Sequence, residues 1–310
     1  MNIPHVPVLL EPVLEAFAPL EEGYFVDCTL GYAGHSHALL SDHPALHLIG
    51  IDRDEEALHF SQERLSAFEE RLTLLRGDFA SIVPTLTHKP IAGLLADFGV
   101  SSLQLDTRER GFGFDSDVLD MRMDTRSELT AHTVVNTYSR DALSRLFSEY
   151  GEIRPAEKLA NVIIEERNRR PIEHPHRLSE IARKTLRSNG KIHPATLMFQ
   201  AIRIEVNDEL GQIEKLLDAL ETMRPSGAII ALITFHSLED RLVKRRFKKW
   251  SRSCICDPEA MRCTCGNNHS LGTILTRKPT TASQKEQRAN PRSRSAKLRV
   301  FTFKESHAEA

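Results

Sequence analysis

The sequence has no apolar run approaching the roughly 20 residues that a membrane-spanning helix needs. Its first residues, MNIPHVPVLLEPVL, carry neither a basic segment ahead of an apolar stretch nor a small-residue cleavage site. The expectation is a cytosolic protein that does not enter the membrane. Cysteine is scarce: five in 310 residues, too few and too unevenly placed for the disulfide framework of a secreted domain. Net charge is nearly absent as well, since 41 basic and 43 acidic residues give −2, so the total does not mark a nucleic-acid binder. No internal repeat is present. What remains is ordinary for a globular protein, 40% hydrophobic and 27% charged, and long enough for one large or two modest domains.

The chain is organised around Tyr24–His35 (YFVDCTLGYAGH). An apolar run ends in Asp27, a turn carries Gly31, Ala33 and Gly34, and a helix-like segment follows. Strand, small-residue turn and helix is the way an α/β domain brings its backbone close to a nucleotide-like ligand, although such a turn also needs glycine for geometry alone. Leu46–Ile51 is a second β-rich run, and it ends in Asp52, where an acid can accept hydrogen bonds from ribose hydroxyls. Glu55–Phe68 reads as an amphipathic helix, Leu72–Leu75 as a third strand before Gly77-Asp78-Phe79, and Ile91–Phe98 as a fourth. This alternation predicts an α/β fold with a mostly parallel sheet covered on both faces.

The pattern then changes. Arg110–Asp124 is a loop rich in Gly, Asp and Phe. Helices are expected over Ser139–Tyr150, Pro155–Arg169, Leu178–Arg187 (stopped by Asn189-Gly190) and Pro194–Leu220. Strand character returns at Gly227–Phe235, followed by the helix Ser237–Trp250 and by last strands at Ile274-Leu275 and Leu298–Phe303. The domain reading is a discontinuous α/β domain, 1–105 and 225–310, with an inserted helical domain, 106–224.

The turn decides between two ligands that both present an adenosine. A dinucleotide needs G-x-G-x-x-G with its pyrophosphate on a helix N-terminus. Here the spacing is Gly31-x-x-Gly34, with Asp27 at the strand end. That carboxylate would repel a pyrophosphate but suits the ammonium group of S-adenosylmethionine; alternatively, Asp27 caps the turn through its own backbone.

Charge is unevenly spread. Arg241–Arg252 holds seven basic residues and no acid, and Arg277–Arg299 holds eight against Glu286 alone. Both stretches are expected to form a phosphate-binding surface for a nucleic-acid backbone, with Trp250 as a stacking surface. Cys254-x-Cys256 and Cys263-x-Cys265 either gather four thiolates around zinc or stand as free thiols on a loop, the spacing being tighter than the usual C-x₂₋₄-C. Cys28 reads as a small buried residue.

Six motifs, D-C-T-L-G-Y-A-G-H-S, G-I-D-R-D, D-F-G-V-S-S-L-Q-L-D, R-G-F-G-F…L-D-M-R-M-D, F-Q-A-I-R-I-E-V-N-D-E-L and T-F-H-S-L-E-D-R-L-V-K, together resemble the bacterial 16S ribosomal RNA (cytosine-N4) methyltransferase family (RsmH/MraW) from Pro4 to Phe303. The resemblance implies a class I, Rossmann-like methyltransferase fold with a helical insert. It also implies methyl transfer from S-adenosylmethionine to N4 of a cytidine in the decoding region of 16S ribosomal RNA in the small subunit. Carried across, the cofactor site is Asp27, Ala33, Gly34, His35, Asp52, Phe79, Asp97 and Gln104. Asp52 would hold the ribose and Phe79 would lie against the adenine, while His35 either touches the cofactor or caps the helix behind it. Asp117-Val118 departs from the family's usual Gly/Ala-Pro, which leaves the shape of that loop open. Asp97, Ser101 and Ser102 are expected to line the cytosine pocket, with His236 approaching from the fifth strand or capping the basic helix. The transfer needs no metal. Rival readings are another RNA or DNA amino-methyltransferase and a non-catalytic RNA-binding assembly factor; the complete set Asp27, Gly34, Asp52 and Asp97 speaks against lost catalysis.

Overall fold

The computed structural model describes residues 7–186, 193–257, 259 and 262–305, apart from the side chains of Ser102 and Leu103. The chain divides into two compact units, residues 1–99 with 211–310 and residues 100–210.

The first unit opens with α1 (Leu10–Phe17), then β1 (Gly23–Asp27), α2 (Gly34–Asp42), β2 (Leu46–Asp52), α3 (Glu55–Arg64), β3 (Leu72–Arg76), a single turn α4 (Phe79–Ile82) and β4 (Ile91–Asp97). The helices start where the sequence supplies caps. Asp54 accepts from the Glu56 amide at 3.2 Å and Asp78 from the Ser81 amide at 2.8 Å, so the acid of Gly77-Asp78-Phe79 serves as a helix cap. Expected helix continues past Arg64 only as a tighter 3-10 turn, Ser66–Arg71.

The α-helices described in the second unit, which shows no strand among its described residues, are α5 (Ser102–Asp106), α6 (Ala131–Thr137), α7 (Arg140–Glu149), α8 (Ala156–Arg169), α9 (Pro175–Thr185) and α10 (Pro194–Asn207). The stop expected at Asn189-Gly190 lies outside the described residues. Leu143, Leu146, Phe147, Leu159, Ile163, Met198 and Ile202 are among the buried residues of its core. The loop before α6 is pinned by side chains: Asn207 Oδ1 accepts from the Met123 amide and Nδ2 donates to the Met121 carbonyl, both at 2.8 Å. Asp117, where the sequence departs from its family, takes a hydrogen bond from Arg108 at 3.1 Å, and its carbonyl meets His174 Nδ1 at 3.0 Å. Gly111 (φ 81) is needed here, because a Cβ would stand 2.6 Å from the Asp120 nitrogen.

The helix expected over Pro194–Leu220 is two helices. Asp208 adopts a left-handed conformation (φ 49), which aspartate tolerates better than most residues, and the chain restarts as α11 (Glu209–Met223). The unit boundary falls at the start of α11 rather than at residue 224, because Ile213, Leu216, Leu217 and Leu220 are buried in the core beneath the sheet. Then follow β5 (Ile229–Thr234), α12 (Ser237–Trp250), β6 (Gly272–Ile274), β7 (Thr280–Thr281), α13 (Gln284–Ala289) and β8 (Lys297–Phe303).

The strands form one sheet in the order β3-β2-β1-β4-β5-β8-β6, with β7 also paired to β8. The first five are parallel and β8 is antiparallel to β5. β5 is buried at every position, as a central parallel strand covered on both faces should be. No described helix is long and apolar enough to cross a membrane.

Trp250 is not a stacking surface. Only 1% of it is exposed, and its ring lies 5.2–5.5 Å from those of Phe247, Phe301 and Phe303. Replacing Trp250 by Ala should lower the unfolding free energy by about 3–5 kcal/mol, read from denaturant unfolding followed by far-ultraviolet circular dichroism. A loss below about 0.5 kcal/mol would return the ring to the surface.

Candidate active site

β2, β1 and β4 are adjacent and parallel, and each ends in aspartate: Asp52, Asp27 and Asp97. Register fixes their levels. Asp27 pairs with Gly50 on one side and Leu95 on the other, so Asp52 and Asp97 each lie two residues further along their strands. Three carboxyls therefore share the C-terminal edge of the sheet, where α/β folds bind their ligands.

Each acid is handled differently. Asp27 is buried, with Oδ2 accepting from Ser36 Oγ at 2.6 Å and Oδ1 from the Thr29 amide at 3.2 Å. Burial outweighs these bonds and pushes its carboxyl up to about 6. The capping reading of Asp27 thus describes bonds that are made. Asp52 accepts from the Gly31 amide at 2.8 Å and the Asp54 amide at 2.9 Å; desolvation raises it to about 6 as well. Asp97 has the least support. Its amide donates to Thr29 Oγ1 at 2.6 Å, but its Oδ1 is buried without a hydrogen-bond partner among the described residues. Burial, then Asp27 and Glu239, raise its carboxyl well above the carboxylate range.

The turn between β1 and α2 is built around these acids. Gly31 and Ala33 are both left-handed (φ 49 and 53), which aims the Gly31 amide at Asp52. Ser61 and Arg64 of α3 bond the Gly31 and Tyr32 carbonyls at 2.6 and 2.8 Å. Gly34 is required by the chain itself, since a Cβ there would stand 2.2 Å from Pro7 Cγ. His35 does not cap its helix. Its Nε2 meets the Val8 carbonyl at 2.9 Å in a buried position, and desolvation lowers its pKa to about 4.

Phe79 is buried, with the Phe98 ring 5.9 Å away and the Arg53 guanidinium 5.9 Å from its centroid. His236, just past β5, is the N-cap of α12: its Nδ1 takes a long 3.5 Å bond from the Glu239 amide, and Glu239 Oε2 returns bonds to the Phe235 and His236 amides at 2.7 and 3.2 Å. The capping alternative for His236 is therefore realised, with Nε2 at 3.2 Å from Glu239 Oε1.

In the helical unit, Ser101 and Gln104 cap α5 reciprocally. Gln104 Oε1 accepts from the Ser101 amide at 3.1 Å, and Ser101 Oγ from the Gln104 amide at 3.2 Å. This is the S-x-x-Q box that precedes helices. The Ser102 side chain lies outside the description. The sequence reading missed Ser36, Thr29 and Ser61, and no local pattern marks them; Glu239 was legible as the fourth residue of H-S-L-E.

The basic stretches are thinned by pairing. Arg246 bonds Asp218 and Glu221 at 2.6 and 3.0 Å, and Lys249 bonds Glu221 at 2.6 Å. Arg299 is buried and doubly bonded to Asp240, so it cannot serve an RNA surface. Lys244, Arg245, Lys248, Arg277, Lys278, Arg288 and Arg294 remain exposed.

The sheet order, with an antiparallel strand slotted between β5 and β6, and the acid-tipped strands at its binding edge define a class I methyltransferase fold. The family follows from the whole chain. It belongs to the MraW methylase family, whose model matches residues 2–304. It is 62% identical to the ribosomal RNA small subunit methyltransferase H of a Sulfurovum species over 304 residues, 98% of this chain and 99% of that protein. The proteins of the same name from Wolinella succinogenes and a Nitratiruptor species are 56% and 57% identical, again over 98% of this chain and the full length of each.

The raised acids give a signed expectation for stability. A carboxyl at about 6 in the folded chain and 3.8 unfolded holds its proton longer when folded, so its contribution is fully present below pH 3.8 and is lost as pH rises through 6. Relative to the parent, Asp27→Asn should therefore gain stability between pH 4 and pH 7. Melting temperatures of both proteins across that range test this; a difference independent of pH would contradict it.

Proposed function

We propose that this protein methylates N4 of a cytidine in 16S ribosomal RNA, within the small ribosomal subunit, using S-adenosylmethionine. The observation that carries the reading is the row of three strand-end carboxyls in a chain of the MraW methylase family, one of them with a buried oxygen left without a partner. Such an edge fits a cofactor with ribose hydroxyls and a positive charge: Asp52 keeps lone pairs for hydroxyl donors, and two raised carboxyls gain from a cation nearby. In this reading Asp52 holds the ribose, Phe79 borders the adenine, and the Gly31–Gly34 main chain approaches the methionine part. Asp27 orients its ammonium group, and Ala33, His35 and Gln104 shape the walls; the bonds at Asp27 and His35 make these two supports as much as contacts.

When bound, the cofactor supplies an electrophilic methyl group on a sulfonium. The remaining work falls to the chain. The N4 amine of cytosine is weakly nucleophilic, so holding it in line with the methyl group supplies several kcal/mol of the barrier. As the N–C bond forms, positive charge grows on N4 and one N4 hydrogen must leave. Asp97 is the group placed to accept it, which requires its carboxyl to be ionised, a state that positive charge nearby favours against the burial that raises its pKa. Ser101, Ser102 and His236 are the further residues assigned to the base in this reading. The base must leave its stack to reach the site, which costs least in a single-stranded or opened segment. Lys244, Arg245 and Lys248 on α12 hold its phosphates.

Labelled S-adenosylmethionine mixed with small subunits from cells lacking the activity should place one label on a cytidine N4. Asp97→Asn should lower the single-turnover methylation rate at saturating cofactor by about 10²–10⁴. Label outside RNA, or none at all, would overturn the function; an Asp97→Asn variant of full activity would overturn only the role of Asp97. Replacing Lys244, Arg245 and Lys248 by Ala should weaken RNA binding and reduce its salt slope by about 2, measured by fluorescence anisotropy in a salt series. An unchanged slope would remove α12 from the RNA surface.

A further inference from the structure

The four cysteines that no step of methyl transfer uses are gathered in one place. Cys254, Cys256, Cys263 and Cys265 each offer a sulfur, and all four sulfurs lie within 4.8 Å of one another. Cys254 Sγ stands 3.6 Å from Cys263 and 3.7 Å from Cys265, and Cys263 is 3.6 Å from Cys265. No disulfide joins them. Four thiolates around one zinc at about 2.3 Å stand about 3.8 Å apart, the edge of a tetrahedron of that radius. Cys256 Sγ lies within 4.8 Å of each of the other three sulfurs, and the three separations among Cys254, Cys263 and Cys265 match that edge. They are far longer than a disulfide, and too short for thiolates spread around the corners of an iron–sulfur cluster.

We propose that Cys254, Cys256, Cys263 and Cys265 form a structural zinc site that closes the segment between α12 and β6.

The surroundings prepare the thiolates. The Ile255 amide points at Cys265 Sγ at 3.4 Å and the Thr264 amide at Cys256 Sγ at 3.3 Å, so each C-x-C arm donates an N–H to a sulfur of the other. Such bonds offset the negative charge that four thiolates around a dication would leave. Outside the cluster, His269 Nε2 lies 2.7 Å from the Cys265 carbonyl and the His269 amide donates to Ser253 at 2.9 Å. The Leu271 amide donates to Trp250 at 2.7 Å. The segment therefore leaves the end of α12 and returns to it. Its apolar residue Ile255 is 64% exposed, so this side chain does not hold the loop. A closed site with four protein ligands has no open position for a substrate, which marks it as structural rather than catalytic.

Protein purified in a reducing buffer without added metal or chelator should carry about one zinc per chain by plasma mass spectrometry. The four clustered thiols should react with a thiol reagent only after a chelator is added. In chelator-stripped protein, added Co²⁺ should give the strong visible absorption of tetrahedral cobalt thiolate, and the double variant Cys254→Ser, Cys263→Ser should lose both zinc and that absorption. The wild-type measurement decides the matter without relying on the variant folding. Chain that lacks metal and fails to bind added zinc or cobalt would overturn the proposal. Iron with cluster absorption, or thiols equally reactive before and after chelation, would overturn it too.

Discussion

Burying carboxyls side by side at one edge of a parallel sheet is the constraint on which most of this unit depends. Parallel register leaves no freedom: once β1 pairs with β2 and β4, their terminal aspartates are neighbours. Like charges in a poorly hydrated place raise one another's proton affinity, so each gains from donors beyond those its neighbouring amides supply. The turn after β1 exists in its observed shape to provide them. Its two left-handed residues, the Ser36 hydroxyl that donates to Asp27, the Thr29 hydroxyl that accepts from the Asp97 amide, and the clamp from Ser61 and Arg64 all hold either an aspartate or the loop that feeds one. A chain selected for stability alone would place apolar residues there. Retaining three acids, one with an unpartnered oxygen, is the kind of local violation that marks a site for a ligand.

The basic helix α12 shows how one element meets opposing demands. Its inner face carries Leu238, Val243, Phe247 and Trp250 into the core, at spacings that keep them on one side of a helix. Its first turn holds Glu239 and Asp240, which favour the positive end of the helix dipole and also bind the chain around them. Arg246 and Lys249 lean toward the acids of α11. The remaining cations face solvent, and these alone can act on phosphate. Counting basic residues in the stretch therefore overstates the RNA surface.

Strands and helices were legible where the sequence states them locally: the fully apolar run of β5, and the helices α3 and α7 behind their Asp and Ser caps. The break at Asp208 was not, because the neighbouring Asn207 is held by bonds to Met121 and Met123 more than 80 residues away. Trp250 was misread for a related reason. Lysines beside it suggested exposure, while Val243, Phe247 and Trp250, spaced four and three apart, carried the opposite message. At the site, strand-end acids could be read from sequence, since they follow directly from apolar runs. The side-chain partner of Asp27 could not, as Ser36 reaches it only after the chain has turned. Ser101 and Gln104 bear the S-x-x-Q signature, and their reciprocal capping is what that signature predicts.

Gly34 sharpens the account of the turn. A glycine at this position invites the explanation that a ligand needs room, yet the atom nearest its missing Cβ belongs to Pro7 of the same chain. The segment Pro7–Leu9 lies over the turn and is fastened on both sides of it: the Val8 carbonyl meets His35, and the Leu9 amide donates to Glu286 at 2.7 Å. Leu9 adopts a left-handed conformation within that clasp and is fully buried. These contacts lie within the chain, so packing itself stabilises the conformation that points the Gly31 amide at Asp52. A ligand that docks on such a turn loses little affinity to ordering it, and binding energy is left for aligning the reacting groups. The glycine thus serves ligand binding at one remove, by letting the chain brace its own loop.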